Sequence, residues 1–415
     1  MKIKIWGVRG SIPSPLTTPE IEDKIRQAIL GLPNIDPHDE QAVEEYIATL
    51  PQTLRGTAGG NTPCVEVRSG NDLIVLDAGS GFHDLGQELL TSAFSRGEGE
   101  LHLLISHLHW DHIQGFPMFM PAFVPGNRIT IYGCHKDLRT AFELQQRAPM
   151  WPKSLADMPA EITFVQLTPG ESITIGQVCI HSLLNNHPNQ SYSYRLEDGH
   201  SVLVYATDAE YKQLDMATLM PYARFFHNAD VLIFDAQYTL REAWQRVDWG
   251  HSSAMIGVDL ARMAGVKKLL LFHYDPTYSD AEIEQIQATA IAYQEQDTTR
   301  PICDVVIAYE GMEIELAAPG AVDVQFPVGS EAAVLTPTSV FDEQGVGQLA
   351  DQLARLAELD GQAISIIDMS QVETLTTAGL KSLVSLCRKR DGTPVVLAAP
   401  SENVQKVIEL GGHAD

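Results

Sequence analysis

Three histidines and an aspartate lie within residues 106–112, whose sequence is SHLHWDH. The apolar run 101–105 precedes them and predicts a strand, at the end of which residues i and i+2 face the same way. His107 and His109 can therefore hold one metal ion, while Asp111 and His112 follow after the chain turns and can hold a second. Four polar groups cannot be buried here without partners. Imidazole and carboxylate ligands favour Zn²⁺, with Mn²⁺ or Fe²⁺ as alternatives.

Three more polar residues follow apolar runs farther along the chain. His187 comes after the run 178–184, Asp208 after 201–206 and His273 after 267–272. Because α/β sheets place their sites at the carboxyl ends of strands, these residues are expected to join the first four. The seven side chains together predict a dinuclear metal site.

The elements that must position these residues form an α/β pattern. Short β-rich runs alternate with helix-like segments at 136–147, 253–264 and 279–294, which predicts one domain over residues 1–318. Residues 319–330 read as a linker, and the alternation of strands and helices that follows predicts a small α/β domain at 331–415.

Residues 13–56 interrupt the first domain. Six prolines punctuate two amphipathic stretches, 20–30 and 39–50, which predict a helical hairpin. This insertion is either a surface decoration, a lid or an arm for homodimerisation.

Charge and composition exclude several classes of function. With 28 Lys and Arg against 54 Asp and Glu among 415 residues, the net charge of −26 opposes a broad grip on long nucleic acid. This net charge does not exclude a small phosphate ester at a metal-lined pocket, because the metal ions reverse the sign of the charge locally. No run approaches the ~20 apolar residues that span a membrane. Five scattered cysteines without a CxxC spacing favour a reducing, cytoplasmic location.

The seven candidate ligands resemble the metal-binding pattern of the metallo-β-lactamase fold superfamily. The segments 59–62 (GGNT) and 76–81 (LDAGSG) belong to the same resemblance. It implies an α/β fold, a four-layer αββα metallo-β-lactamase sandwich, with the metals at its edge. It further implies a first metal at His107, His109 and His187, a second at Asp111, His112 and His273, and Asp208 bridging both.

An additional histidine indicates the branch of that superfamily. His251, in the segment WGHSSA, lies 22 residues before His273, and this spacing resembles the phosphodiesterase branch, which includes tRNase Z and cyclic nucleotide phosphodiesterases. The opening segment 7–13 (GVRGSIP) resembles it too. This branch implies a metal-dependent hydrolase of a small phosphodiester such as a cyclic nucleotide. The alternatives are a thioester or lactone hydrolase of the same fold, and a non-catalytic sensor that switches partners.

Each remaining site residue has an expected role. Two metals lower the pKa of a bridging water, Asp111 orients the attacking hydroxide, and His251 protonates the leaving alkoxide. Arg9 can pair with a phosphate oxygen, and Asn189 and Tyr238 are candidates for the pocket wall.

The run 364–380 resembles the STAS domain of anti-sigma factor antagonists, so residues 331–415 are expected to form a STAS-like domain. Thr377, two residues before Gly379-Leu380, occupies the position that receives phosphate in that family. The resemblance implies regulation by a kinase or an anti-sigma-like protein. The alternative role of Thr377 is that of a helix N-cap.

Thr377→Glu tests the regulatory role. Phosphate adds about −1.5 to −2 charges and is tolerated at a helix N-terminus, so the thermal unfolding temperature should stay nearly unchanged. Partner pull-down or the hydrolysis rate should shift, and Thr377→Ala should hold the opposite state. Identical partners and rates in both variants would leave Thr377 only a capping residue.

Overall fold

The computed structural model describes residues 1–316 except Asn34, Pro37, Thr298 and Thr299, and beyond them six strands together with Met369 and Val372. The chain divides into two compact units, Met1–Leu316 and Ala317–Asp415. In the described part of the chain, no helix has both the length and the apolarity to cross a membrane.

Two seven-stranded sheets form the centre of the first unit. The first sheet has the order β14-β1-β2-β3-β4-β5-β6, with β1 (Lys2–Gly7), β2 (Cys64–Ser69), β3 (Asp72–Leu76), β4 (Glu100–Ile105), β5 (Arg128–Gly133), β6 (Glu161–Gln166) and β14 (Glu313–Glu315). The second has the order β13-β12-β11-β10-β9-β8-β7, with β7 (Ile173–Ile175), β8 (Val178–Asn185), β9 (Ser191–Glu197), β10 (Val202–Ala206), β11 (Val231–Asp235), β12 (Lys268–Phe272) and β13 (Asp304–Ile307).

Each sheet is antiparallel on one side and parallel on the other. Strands β3 to β6 run parallel in the first sheet, as do β10 to β13 in the second. The carboxyl ends of the parallel strands in each sheet therefore share one edge, where the candidate site residues follow.

Alternation along the strands fills two cores. In β3, Ile74 and Leu76 belong to the core that also contains the second sheet, while Leu73 and Val75 belong to another core. That other core packs under α4 (Gly81–Leu89) and α5 (Leu138–Gln145), which supply Phe82, Leu85 and Phe142 among others. Burying each such side chain stabilises the fold by about 1.5–3 kcal/mol.

Helices on the outer face of the second sheet complete the sandwich. They are α6 (Met216–Phe226), α7 (Leu240–Gln245), α8 (Ala254–Ala264) and α9 (Asp280–Glu295). Leu219, Leu260 and Ile283 of these helices join the core around the second sheet. The layers run helix, sheet, sheet, helix, so the four-layer prediction is confirmed.

The insertion 13–56 is helical as the sequence indicates. It contains α1 (Thr18–Leu30), α2 (Glu40–Thr49) and the short α3 (Gln52–Arg55). Lys24 of α1 ties it to the body, because its ammonium donates to the Gly56 carbonyl and pairs with Asp280 at the start of α9.

The second unit has a four-stranded sheet in the order β15-β16-β18-β20. Its strands are β15 (Val322–Gln325), β16 (Ala332–Pro337), β18 (Ile364–Asp368) and β20 (Val395–Ala398), and a separate pair joins β17 (Val340–Phe341) and β19 (Thr374–Leu375). β15 lies within the segment 319–330 that the sequence indicates as a linker. Thr377 lies outside the described residues.

Arg9 fixes the segment that leaves β1. Its side chain is only 2% exposed, and its guanidinium donates to the carbonyls of Gly59, Tyr278 and Asp275 at 2.7, 2.7 and 3.3 Å. Burial lowers the pKa of this guanidinium, and Asp280 opposes that shift. These bonds occupy Nε and Nη1 and favour a structural role for Arg9, while its pairing with a phosphate oxygen stays a prediction.

Arg9→Ala should destabilise the first unit. The variant leaves buried carbonyls without a charged donor, and we expect the free energy of unfolding to fall by about 2–4 kcal/mol. Chemical denaturation measures this loss. Unchanged stability together with a raised KM would instead favour the substrate-binding role.

Candidate metal centre

The strand ends bring all seven predicted ligands to one edge of the sandwich. His107, His109, Asp111 and His112 follow β4, while His187 follows β8 in the second sheet. Asp208 and His273 follow the parallel strands β10 and β12. Within each of three overlapping groups, the ligand atoms all lie within 4.8 Å of one another. The groups are His107-His109-His187, His107-His112-Asp208 and Asp111-His112-His273.

The first group contains three imidazoles. Nε2 of His187 lies 3.1 Å from Nδ1 of His109, and the His107 ring packs edge-on against both neighbouring rings. Nε2 of His107 is buried and has no hydrogen-bond partner. An unpaired buried nitrogen facing two other imidazole nitrogens fits a bound transition-metal ion.

The second group contains Asp111, His112 and His273. Nε2 of His112 and Nε2 of His273 are 3.2 Å apart, and each lies 3.4 Å from Oδ2 of Asp111. The backbone N–H of Ser11 donates to the same oxygen at 2.7 Å, which fixes the carboxylate.

The Asp208 carboxylate lies between the two groups. Its Oδ1 is 3.6 Å from Nε2 of His107 and 3.7 Å from Nε2 of His187, while its Oδ2 is 3.2 Å from Nε2 of His112 and 3.3 Å from Nε2 of His273. Burial opposes its ionisation, yet His273, His112 and His107 hold the pKa of Asp208 well below its usual range. It is therefore an ionised carboxylate with one oxygen for each group.

Hydrogen bonds to the opposite ring nitrogens orient three of these histidines. Nδ1 of His112 donates to Asp77 at 2.7 Å, Nδ1 of His273 to Gln237 Oε1 at 2.9 Å, and Nδ1 of His187 to the Gly250 carbonyl at 2.8 Å. An acceptor at Nδ1 leaves the lone pair of a neutral ring on Nε2, which is the arrangement that metal ligands need.

His251 lies beside the cluster, before α8. Its Nδ1 is 2.9 Å from Oδ2 of Asp235 and 3.8 Å from Oδ1 of Asp208, and its ring stacks on that of His273. Burial disfavours the protonated ring, but Asp235 and Asp208 raise the pKa of His251 above its ordinary value. These contacts favour a protonated His251 ring beside the candidate metal ligands.

Sequence reasoning missed Asp235, Gln237 and Glu210. Asp235 ends the apolar strand β11, so the rule that found Asp208 applies to it as well. Glu210 accepts from the N–H groups of Asp248 and Gly250 at 3.0 and 3.1 Å and holds the loop before His251. No local pattern marks Glu210 or Gln237.

Two glycines allow the chain to pass close to the ligands. A Cβ added to Gly250, whose φ is +88°, would lie 2.2 Å from Nδ1 of His187. One added to Gly10 would lie 2.6 Å from Nδ1 of His273. The segment 7–13 therefore supports the metal centre, because Gly10 allows the close approach and Ser11 binds Asp111.

The other two expected substrate residues differ in position. Asn189 is exposed, with Nδ2 3.2 Å from Nε2 of His109, so it borders the cluster. Tyr238 is buried, and its ring meets that of His251 edge-on with 5.7 Å between centroids. Tyr238 therefore packs behind His251.

Comparisons with known proteins agree with this fold. Residues 73–274 match the family model of the beta-lactamase superfamily domain, and residues 323–415 match that of the STAS domain. The chain is 24% identical over 269 residues to ribonuclease Z of Thermoplasma acidophilum, covering 53% of this chain and 83% of that protein. It is 22% identical over 294 residues to ribonuclease Z of Picrophilus torridus, covering 59% and 92%.

Among solved structures, the metallo-beta-lactamase fold protein YhfI from Bacillus subtilis is 19% identical, with a TM-score of 0.49 over 75% of this chain and 98% of that one. Residues 73–274 are therefore similar to the beta-lactamase superfamily domain, and residues 323–415 are similar to the STAS domain.

Proposed function

We propose that this chain is a dinuclear metal-dependent hydrolase that acts on a small phosphodiester such as a cyclic nucleotide. The position of Asp208 carries the proposal, because its two oxygens face two separate groups of nitrogen and oxygen ligands. We assign His107, His109 and His187 to one ion and Asp111, His112 and His273 to the other. Zn²⁺ suits these ligands best, with Mn²⁺ and Fe²⁺ as alternatives.

The surrounding residues fit phosphodiester cleavage. Two ions, when bound, activate a water and stabilise charge on the oxygens of the phosphate. Asp111, fixed by the Ser11 N–H, orients that water. His251 keeps Nδ1 on Asp235, which leaves Nε2 to give its proton to the departing alkoxide. Relatives named as ribonucleases support a phosphodiester as the scissile bond.

The net charge supports a small substrate. A chain with a net charge of −26 repels a long polyanion, whereas two metal ions attract a single phosphate locally. We therefore favour a substrate with one phosphodiester over long RNA.

We further propose that the STAS domain regulates this activity by binding a protein partner, a kinase or an anti-sigma-like protein, with Thr377 as the phosphate acceptor. Cys64, Cys134, Cys179 and Cys303 are free thiols, which supports a reducing, cytoplasmic compartment.

A substrate panel decides among reaction classes. Purified protein with measured metal content should cleave bis(p-nitrophenyl) phosphate and cyclic nucleotides faster than thioesters or lactones. The reverse order would favour the thioester or lactone hydrolase, and no turnover in any class would favour a sensor.

Asp208→Ala tests the dinuclear assignment. Because one carboxylate serves both groups, the variant should lose affinity at both sites and fall from about two ions per chain to below one, measured by mass spectrometry of the metal after dialysis. Asp137→Ala is the matched control, since Asp137 is exposed and its side chain makes no capping hydrogen bond to α5. A wild-type protein that holds at most one ion after reconstitution would overturn the assignment.

His251→Ala separates metal binding from proton transfer. Metal content should stay intact, while turnover of an alkyl phosphodiester falls by about 10²–10⁴, the usual range for a general acid. The loss should shrink for p-nitrophenyl esters, whose leaving group needs no proton. His83→Ala, at an exposed histidine paired with Asp84, is the control. Equal losses on both ester types would mean that His251 binds substrate and donates no proton.

A further inference from the structure

Two exposed indoles border the metal centre. Trp110 stands between His109 and Asp111, which belong to different ligand groups, and its side chain is 62% exposed. Trp249 precedes Gly250, whose carbonyl accepts from Nδ1 of His187, and it too is 62% exposed. Trp110 is thus adjacent in sequence to two candidate ligands, and Trp249 is adjacent to a glycine that contacts a third. Neither indole belongs to the packed core.

Hydrogen bonds fix the backbone that carries both indoles. The Trp110 carbonyl accepts from the N–H groups of Ile113 and Gln114, and the N–H of Trp249 donates to the Arg246 carbonyl. Glu210 binds the N–H groups on both sides of Trp249, at Asp248 and Gly250. With the backbone fixed, ordering such a side chain under a stacked ligand restricts only its two side-chain torsions.

In the described segments around the metal centre, every Arg and Lys side chain has a partner. The segments that carry the ligands and His251 are 8–11, 106–112, 186–190, 207–212, 246–252 and 272–275. Within these described segments the only Arg and Lys side chains are Arg9, Lys212 and Arg246.

All three cations already have partners. Arg9 binds backbone carbonyls, and Lys212 pairs with Asp248. Arg246 lies 3.6 Å from Asp275, covers the ring of Tyr238 and lies 5.9 Å from the ring centre of Trp249. Within these segments, a phosphate other than one at the metal centre would have to compete with those partners for a cation.

We propose that Trp110 and Trp249 bind the base of a nucleotide substrate by stacking, and that they set its specificity. The inference rests on the proposed phosphodiesterase activity and names the substrate as a nucleotide with a single phosphodiester group. Stacking suits this surface because every base has an aromatic face and the contact requires no charge. A long RNA or a polyphosphate would need cations that the described segments do not offer.

The experiment compares two diesters, cyclic AMP and glycerol cyclic phosphate, which both carry a cyclic phosphodiester, while the second lacks the ribose and the base. Trp110→Ala and Trp249→Ala should each lower the ratio of kcat/KM for cyclic AMP to that for glycerol cyclic phosphate by about 5- to 100-fold. The loss should fall on the KM for cyclic AMP, and Trp110→Phe and Trp249→Phe should each keep part of the wild-type ratio. Trp244→Ala is the matched control, since Trp244 on α7 is equally exposed, at 65%, and has no ligand beside it in sequence.

The outcomes separate this inference from the proposed function. Turnover of both diesters with unchanged ratios in the two variants would overturn the stacking role and leave the phosphodiesterase intact. If the wild-type protein cleaves neither diester, the proposed function fails, and calorimetric titration with cyclic AMP decides the stacking role. Weaker cyclic AMP binding in both variants but not in Trp244→Ala supports it, and equal binding in all four proteins overturns it.

Discussion

The ionised Asp208 carboxylate is the interaction on which the site depends. Two groups of imidazoles that repel one another when protonated share this one buried acceptor, with contacts of 3.2 to 3.7 Å. Removing a carboxylate from water costs several kcal/mol, roughly, unless charges or metal ions compensate. The four histidines around Asp208 come from both sheets. The sandwich must therefore bring the two sheet edges together before the site exists.

The sequence predicts those residues that directly follow apolar strands. A polar residue after a buried strand has few purely structural explanations, and the two sheets bring the carboxyl ends of such strands together at one edge. This makes four ligands recognisable in the sequence: His107, His187, Asp208 and His273. The four-layer fold follows from the same alternation of strands and helices, and the two longer helices within 13–56 follow from its amphipathic stretches.

What the sequence does not reveal depends on long-range contacts. The contacts of Arg9 with the carbonyls of Gly59, Asp275 and Tyr278 join distant parts of the chain and leave no pattern in the sequence. Glu210 holds the loop of His251 across about 40 residues of chain, and no local spacing encodes that contact. Asp235 is different, since its position at the end of β11 obeys the rule that identified Asp208.

Backbone conformation shows that the site is maintained against local preference. Asp77, Asp208 and His273 all have positive φ, at 62°, 53° and 61°, in a region that residues with side chains rarely adopt. Each stands just after a parallel strand, where the turn directs its side chain into the cluster. Such strain costs on the order of 1 kcal/mol or more per residue and persists only where surrounding packing enforces it. The buried strands β3, β10 and β12 provide that packing, so part of the stability of the sandwich is used to hold three side chains in positions that only their shared chemistry requires.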